Sequence, residues 1–165
     1  MSQTNNVSKP PDRIYVGRSK INGFGLFSRR TITRGNVIEK LEGAVGPLAT
    51  KRTIQIDRDK HLCSEYIDFL NHCCRPNARL RVEGRGIVLI AIEEIGRDRD
   101  EVTIDYNCSE YSLAESFSCR CCEPARFIGG YRHLLETGQG DYLSRIEQFA
   151  LPHLLSISSE YLSHN

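Results

Sequence analysis

The sequence of 165 residues has no marked excess of charge, no long apolar run and no leader-like start. It has 22 Lys and Arg against 21 Asp and Glu, a net charge of +1. This balance argues against a broad phosphate-binding face, so we expect no direct nucleic-acid partner. No apolar run approaches the roughly 18 residues of a membrane span, and the polar start MSQTNNVSKPPDR lacks the apolar core of a secretory signal. We therefore expect an intracellular protein, cytoplasmic or nuclear, with no membrane partner and no secretion.

The chain also lacks sequence repeats and low-complexity tracts, and its 39% hydrophobic content is that of an ordinary globular domain. Its length suits one domain, or one domain with a small appendage. Seven cysteines are many for this length. Because the number is odd and no signal peptide is visible, reduced thiols or metal ligands are favoured over a disulfide framework.

Most of the regular patterns are those of short β-strands. RIYVGRS (13–19), GLFS, VIEKLEG and TIQI read as strands, and TRGN reads as the turn between the second and third. Residues 46–62 show little other pattern, and 64–70 fits either a short helix or a strand. Residues 77–95 predict a hairpin that turns at Glu83-Gly84-Arg85-Gly86, with IVLIAI buried on both faces.

The second half of the chain changes character twice. DEVTIDY (100–106) alternates, which places Val102, Ile104 and Tyr106 on one face. From residue 117 the chain is rich in cysteine and glycine and predicts an irregular cap. Residues 140–162 have helical spacing, interrupted by Pro152.

The stretch FLNHCCRPNA (69–78) combines an Asn-His pair with two adjacent cysteines. Taken alone it fits a metal site, a cysteine nucleophile with its base, or a cofactor-binding turn. The nucleophile is disfavoured, because a nucleophile and its base converge in space and are rarely neighbours in sequence.

The order of four motifs over residues 13–133 resembles that of SET-domain protein lysine methyltransferases. GFGLF is similar to the first cofactor loop of that family, and FLNHCCRPN to its Asn-His-Ser-Cys-x-Pro-Asn signature, with Cys73 in place of Ser. EVTIDY resembles the strand that ends in the catalytic tyrosine, and FSCRC the start of the post-SET cysteine cluster. The resemblance implies a mainly β fold (a β-clip of the SET type), with several small sheets, a knotted crossing and a C-terminal helix.

The resemblance also implies the function and its residues. The expected activity is transfer of a methyl group from S-adenosylmethionine to a lysine amine, with a protein that exposes a lysine as substrate and Tyr106 as the catalytic residue. Asn71 is expected to offer its side-chain oxygen to the methionine ammonium, Lys20 to lie near the carboxylate and Phe117 to cover the adenine. The full set of expected cofactor contacts is Lys20, Gly23, Phe24, Gly25, Asn71, His72, Tyr106 and Phe117.

The cysteines that match the zinc ligands of the family are Cys74, Cys119 and Cys121. Thiolates in this spacing suit a structural zinc ion. The usual last cysteine is missing where Ala125 and Arg126 stand, so Cys122 is the substitute that the sequence offers. Adjacent ligands strain a tetrahedron, and buried apolar thiols without metal are the alternative.

The resemblance divides the chain into a flexible lead-in (1–12), a SET-like catalytic domain (13–116), a post-SET-like cap (117–133) and a helical tail (134–165). Further departures are Asp68 in place of Arg and a turn, GRDRDE, without the usual Gly before EVTIDY. These departures keep two alternatives open: a non-catalytic binding module on the same scaffold and a methyltransferase for a non-protein amine. The cysteines by themselves would also suit a small zinc-ribbon interaction protein, which the lack of a clean CxxC…CxxC pair disfavours. The sequence does not predict an oligomeric state.

Overall fold

The computed structural model describes residues 13–163, so the predicted lead-in at 1–12 lies outside the described residues. The described chain is mainly β, with short strands first and helices last. The strands are β1 (Ile14–Arg18), β2 (Phe24–Ser28), β3 (Val37–Leu41), β4 (Ala44–Gly46), β5 (Thr53–Asp57), β6 (Lys60–Cys63), β7 (Ala78–Glu83), β8 (Gly86–Ala91), β9 (Glu101–Val102), β10 (Phe117–Cys119) and β11 (Arg126–Ile128). The α-helices are α1 (Tyr131–Glu136), α2 (Gly140–Ile146) and α3 (Pro152–Ser163).

The strands form four small antiparallel sheets. Three have three strands, in the orders β1-β2-β9, β3-β8-β7 and β4-β6-β5, and the fourth is the β10-β11 pair. The predicted mainly β fold with several small sheets is confirmed. Residues 46–62 hold more structure than their pattern indicated, because β4 and β6 pair with each other although neither alternates clearly. The undecided segment 64–70 contains a short 3-10 helix, Ile67–Phe69.

The predicted hairpin is confirmed as β7 and β8, paired from Ala78–Ala91 to Glu83–Gly86. Gly84 has φ +62, a backbone conformation that costs glycine little and other residues more. All six residues of β8 are buried, as its continuous apolar run predicted. At about 1.5–3 kcal/mol for each fully buried large aliphatic side chain, this central strand is a main source of stability.

Two distant segments, 71–73 and 103–105, run side by side where the resemblance places the crossing. His72 and Ile104 form an isolated parallel bridge, and the backbone N–H of Cys73 donates to the Ile104 carbonyl at 2.9 Å. The predicted alternation in DEVTIDY is wrong after Val102, because Thr103 and Asp105 are also buried. A segment enclosed on both sides has no solvent face, so the period of two is lost there.

The C-terminal third is less irregular than its sequence indicated. β10 and β11 pair in register within the cysteine-rich stretch, and three helices follow. Pro152 separates α2 from α3 as predicted, and it occupies the first position of α3, where its missing N–H costs nothing. None of the helices in the described part of the chain is both long and apolar enough to span a bilayer.

Candidate functional site

A cleft of about 560 Å³ lies between the 20–22 loop, the 71–72 segment and the start of the cysteine-rich cap. This volume lies within the range of small-molecule sites. Five of the predicted cofactor contacts line it: Lys20, Asn71, His72, Tyr106 and Phe117. The other wall residues were not predicted as cofactor contacts. They are Ile21, Asn22, Ser118, Cys119, Arg120 and Cys121.

Asn71 is fixed by hydrogen bonds on one side of its amide. Its Nδ2 donates to the Phe24 carbonyl at 2.9 Å and to Glu101 Oε1 at 2.6 Å. Glu101 also accepts from the Ser19 hydroxyl at 2.7 Å, which ties the loop before β2 to β9. Because its nitrogen is held by these acceptors, the side-chain oxygen of Asn71 is the atom left for a ligand.

The ring of His72 is almost completely enclosed and neutral. Burial lowers the pKa of His72 to about 4. Its Nδ1 accepts from the Tyr106 backbone N–H at 3.1 Å, so the ring proton lies on Nε2, which is 3.4 Å from Cys74 Sγ. His72 therefore links the tyrosine to the cysteine cluster.

Three aromatic rings meet in the cleft. The centroid of Phe117 lies 5.6 Å from that of His72 and 6.1 Å from that of Tyr106, both in edge-on geometry. Phe117 is 36% exposed, which is high for a phenylalanine within a ring cluster. The exposed part of the Phe117 ring is available to a flat ligand in the cleft.

The GFG residues lie beside the cleft and are absent from its wall. Gly23 has φ +49, so the turn requires glycine there. A Cβ on Gly25 would lie 2.1 Å from Glu101 Oε1, so Gly25 makes room for a side chain of the protein itself. Phe24 is exposed, with the Arg18 guanidinium 5.1 Å from its ring centroid. The cofactor contacts predicted for these three residues stay predictions.

Tyr106 lines a second, much narrower pocket of about 70 Å³ as well as the cleft. Its hydroxyl donates to the Leu70 carbonyl at 2.8 Å, which fixes the ring. Burial, together with the nearby Glu110 and Glu101, raises the pKa of Tyr106 to about 12, so the phenol keeps its proton at neutral pH. Apolar Ile54, Ile67 and Leu70 form much of the pocket wall, which suits a slender aliphatic chain.

Glu110 is a buried acid in the wall of the narrow pocket. Its Oε1 accepts from the Gln55 backbone N–H at 2.9 Å. Burial raises the pKa of Glu110 to about 7, and the hydrogen bonds from Gln55 and Ser109 only partly oppose this. Between pH 4.5 and 7, Glu110 is therefore protonated in the folded chain and ionised in the unfolded chain.

We expect the replacement Glu110→Gln to remove a pH-dependent loss of stability. The raised pKa means that the wild type loses stability as pH rises from 4.5 to 7, whereas a neutral amide does not titrate. The free energy of unfolding of the variant minus that of the wild type should increase by up to about 3 kcal/mol between pH 4.5 and 8. Urea unfolding of both proteins at several pH values measures it; a constant difference would contradict the raised pKa.

All seven cysteines are free, and four of them, between residues 74 and 122, form one cluster. The sulfurs of Cys74, Cys121 and Cys122 lie within 4.8 Å of one another, and Cys119 Sγ is 3.1 Å from Cys121 Sγ. The structure thus brings together all four predicted metal ligands. The structure also brings His72 close to Cys74 and Cys119, and these three residues form a second group of potential metal ligands. The family resemblance had assigned His72 only to the cofactor.

The cysteine cluster has the chemistry of a zinc site. Burial raises the thiol pKa of Cys121, but hydrogen bonds from the Cys74 backbone and from the thiols of Cys119, Cys74 and Cys73 outweigh it and lower that pKa to about 7. A thiolate is therefore accessible near neutral pH, and thiolates are the usual ligands of structural zinc. The three sulfurs that lie within 4.8 Å of one another, with Cys119 beside Cys121, are compatible with a zinc ion.

Comparison with known proteins identifies the family. The SET-domain family profile matches residues 23–107, just over half of the chain. A histone-lysine N-methyltransferase of Candida albicans, H3 lysine-36 specific, is 30% identical over 148 residues, covering 72% of this chain and 17% of its own length. Human histone-lysine N-methyltransferase 2B is 30% identical over 132 residues, covering 67% of this chain and 5% of its own length. The chain therefore spans less than a fifth of these relatives.

Solved structures agree in fold. KRYPTONITE in complex with mCHH DNA, H3(1–15) peptide and SAH superposes with a TM-score of 0.56 at 21% identity, over 69% of this chain and 29% of that one. KRYPTONITE with mCHG DNA and SAH gives 0.54 at 21% identity, over 68% and 28%. Both contain DNA, so the expected absence of a nucleic-acid partner gains no support. From the matched profile and the shared fold, the chain belongs to the SET-domain family.

Proposed function

We propose that the chain is an S-adenosylmethionine-dependent methyltransferase that methylates a lysine amine on a protein. The observation that carries the proposal is the position of Tyr106, whose side chain lines both the cleft of about 560 Å³ and the narrow pocket of about 70 Å³. A cofactor in the first and an amine in the second would meet at its hydroxyl. The names of the relatives, all histone-lysine N-methyltransferases, agree with this chemistry.

The cleft has a separate group for each part of the cofactor. Lys20 offers a cation for the carboxylate, the Asn71 oxygen an acceptor for the ammonium, and the face of Phe117 a surface for the adenine. The set is complementary to an amino acid joined to a nucleoside. When bound, S-adenosylmethionine supplies an electrophilic methyl group on a positively charged sulfur.

Tyr106 acts mainly by position and electrostatics. Since its hydroxyl proton is donated to Leu70, its oxygen lone pairs are free to accept weak C–H···O contacts from a polarised methyl group. The acceptor amine must be neutral to attack, and lysine has an ordinary pKa near 10.4, so deprotonation at pH 7 costs roughly 4–5 kcal/mol. The apolar wall of the narrow pocket lowers this cost by desolvating the ammonium.

A protein substrate is favoured over a free amine because the amine pocket is narrow, at about 70 Å³. A pocket of this width admits a lysine stem but has little room for the rest of a larger small molecule. The relatives are named for histone H3 lysines 4 and 36, so histone H3 is the first substrate to test. With a histone as substrate, the proposed location is nuclear.

Zinc is part of the proposal as a structural ion. Cys74, Cys119, Cys121 and Cys122 would hold it, and it would fix the cap that carries Phe117 to the segment that carries Asn71 and His72. Its role would be to keep the cleft in shape. The chemistry of the transfer would not pass through it.

The test of the proposal begins with cofactor binding. We expect calorimetric titration of the reduced chain with S-adenosylmethionine to give micromolar affinity. Asn71→Ala should weaken it at least 10-fold, because the variant removes the ammonium acceptor and one donor to the half-buried Glu101 carboxylate. Asn36→Ala, which changes an exposed asparagine bonded to Thr33, is the matched control. Labelled cofactor with histone H3 then tests transfer.

The outcomes separate the alternatives. Binding with transfer to a lysine supports the proposal. Binding without transfer to any protein or small amine favours a non-catalytic module. A folded wild type that fails to bind the cofactor, with or without added zinc, contradicts the proposal.

A further inference from the structure

A second large cavity of the described chain lies outside the cofactor cleft. It is a groove of about 770 Å³, and neither Tyr106 nor Asn71 lines it. Its wall contains five arginines and no lysine. We call it the arginine groove, and its arginines are Arg34, Arg75, Arg79, Arg81 and Arg145.

These arginines come from four separate parts of the chain. Arg34 lies in the turn before β3, Arg75 follows the cysteine pair, Arg79 and Arg81 lie on β7, and Arg145 lies on α2. The fold therefore concentrates positive charge that the sequence spreads over more than a hundred residues. The net charge of +1 does not reveal this concentration, because net charge does not depend on where the charged side chains lie.

Most of this charge is free to meet a ligand. Among residues 13–163, Arg34, Arg75 and Arg79 form no ion pair, and Arg81 pairs at 3.2 Å with Glu83, an exposed contact of small energy. Arg145 donates to the Cys74 carbonyl at 3.1 Å and has no ion pair among these residues. Of the two acids in the wall, Asp105 is buried and accepts from Tyr142, which leaves Glu93 as the exposed one. The positive potential of the groove is thus largely uncompensated.

The spacing of the charges suits a phosphate backbone. Arg79 and Arg81 lie on the same face of edge strand β7, two residues and about 7 Å apart. Two nucleotide steps along one strand of B-DNA rise by about the same distance along the helix axis. Guanidinium groups bind phosphate through two parallel hydrogen bonds, which favours arginine over lysine at such sites.

We propose that the arginine groove binds the phosphate backbone of duplex DNA. Contacts of this kind position a protein on DNA and read no sequence. The groove lies apart from the cofactor cleft, so the proposal does not rest on the methyltransferase assignment.

Fluorescence anisotropy of the full chain with a labelled 20-base-pair duplex of mixed sequence tests the proposal. We expect micromolar binding at 50 mM NaCl, with a slope of log affinity against log salt that approaches about −4.5 if all five arginines meet phosphates. The double variant Arg75→Gln, Arg79→Gln should lose at least 10-fold in affinity and about 2 from the slope. A synthetic polyglutamate peptide is titrated in parallel.

The control changes net charge by the same amount elsewhere. Arg52 and Arg85 are exposed and lie outside the groove, so Arg52→Gln, Arg85→Gln should leave affinity within 2-fold. Thermal unfolding checks that both double variants fold, and the single variant Arg75→Gln gives a second measure. Absence of duplex binding by the wild type, equal losses in both double variants, or tighter binding of polyglutamate than of the duplex would each overturn the proposal.

Discussion

Replacement of Tyr106 by Phe is expected to reduce the rate of methyl transfer at saturating substrates by about 10²–10³-fold. Removal of one preorganised electrostatic contact to a reacting group typically has an effect of this size. The hydroxyl is held toward Leu70 at 2.8 Å, so its oxygen has a fixed position between the two cavities. Transfer of labelled methyl groups to the identified acceptor measures the rate.

The same variant should bind cofactor almost normally. The ring keeps its tilted contact with His72 and its edge-on contact with Phe117, and the loss of one hydrogen bond costs about 1 kcal/mol of stability. Tyr15→Phe, on β1 and outside both cavities, is the matched control and should be fully active. Full activity of a folded Tyr106→Phe protein would show that the tyrosine has no catalytic role.

The second large effect is expected at the cysteine cluster. Protein purified without chelators should contain about one zinc ion per chain. Cys121→Ser should contain less than half of that, since hydrogen bonds lower the thiol pKa of Cys121 to about 7 and its sulfur lies 3.1 Å from Cys119 Sγ. Metal analysis by mass spectrometry measures the content. Cys63→Ser, which removes an exposed thiol on β6, is the control.

Loss of the metal should also destabilise the fold. Structural zinc sites have apparent binding energies of ~10 kcal/mol or more in small domains, and we expect a loss on the order of 3 kcal/mol here because the cap is only one part of the core. At roughly 2–4 °C per kcal/mol, the Tm of Cys121→Ser should fall by about 6–12 °C. Wild-type protein with well under one zinc per chain and an unchanged Tm after chelation would remove the ion from the proposal.

The predicted and observed secondary structure differ where a segment is buried by parts of the chain that are distant in sequence. The hairpin of β7 and β8 was predictable because its turn residues and its apolar run both indicate a buried hairpin. In DEVTIDY the pattern failed beyond Val102, because the 71–73 segment and α2 cover the chain on both sides. The pattern of apolar and polar residues within one segment cannot show that a segment thirty residues away packs against it.

The site divides in the same way. The sequence singled out Asn71, Tyr106 and Phe117 through their motifs, and the structure places all three in one cleft. It gave no signal for Glu110, whose role as a buried acid depends on Gln55 and on the wall of a pocket built by several segments. It gave no signal either that Gly25 makes room for the Glu101 side chain of the same chain.

By itself the sequence determined the family, the mainly β architecture and the set of cysteines. Motif order, turn residues and residue types can all be read from the sequence without knowing the tertiary contacts. Only the tertiary structure decided which groups share a cavity: that Tyr106 lies between two of them, that His72 approaches the cysteine cluster and that five arginines line one groove. The physical reason is that electrostatic and metal-binding chemistry depends on distances between side chains. In a chain of many short strands, those distances are set by sheet packing across residues far apart in sequence.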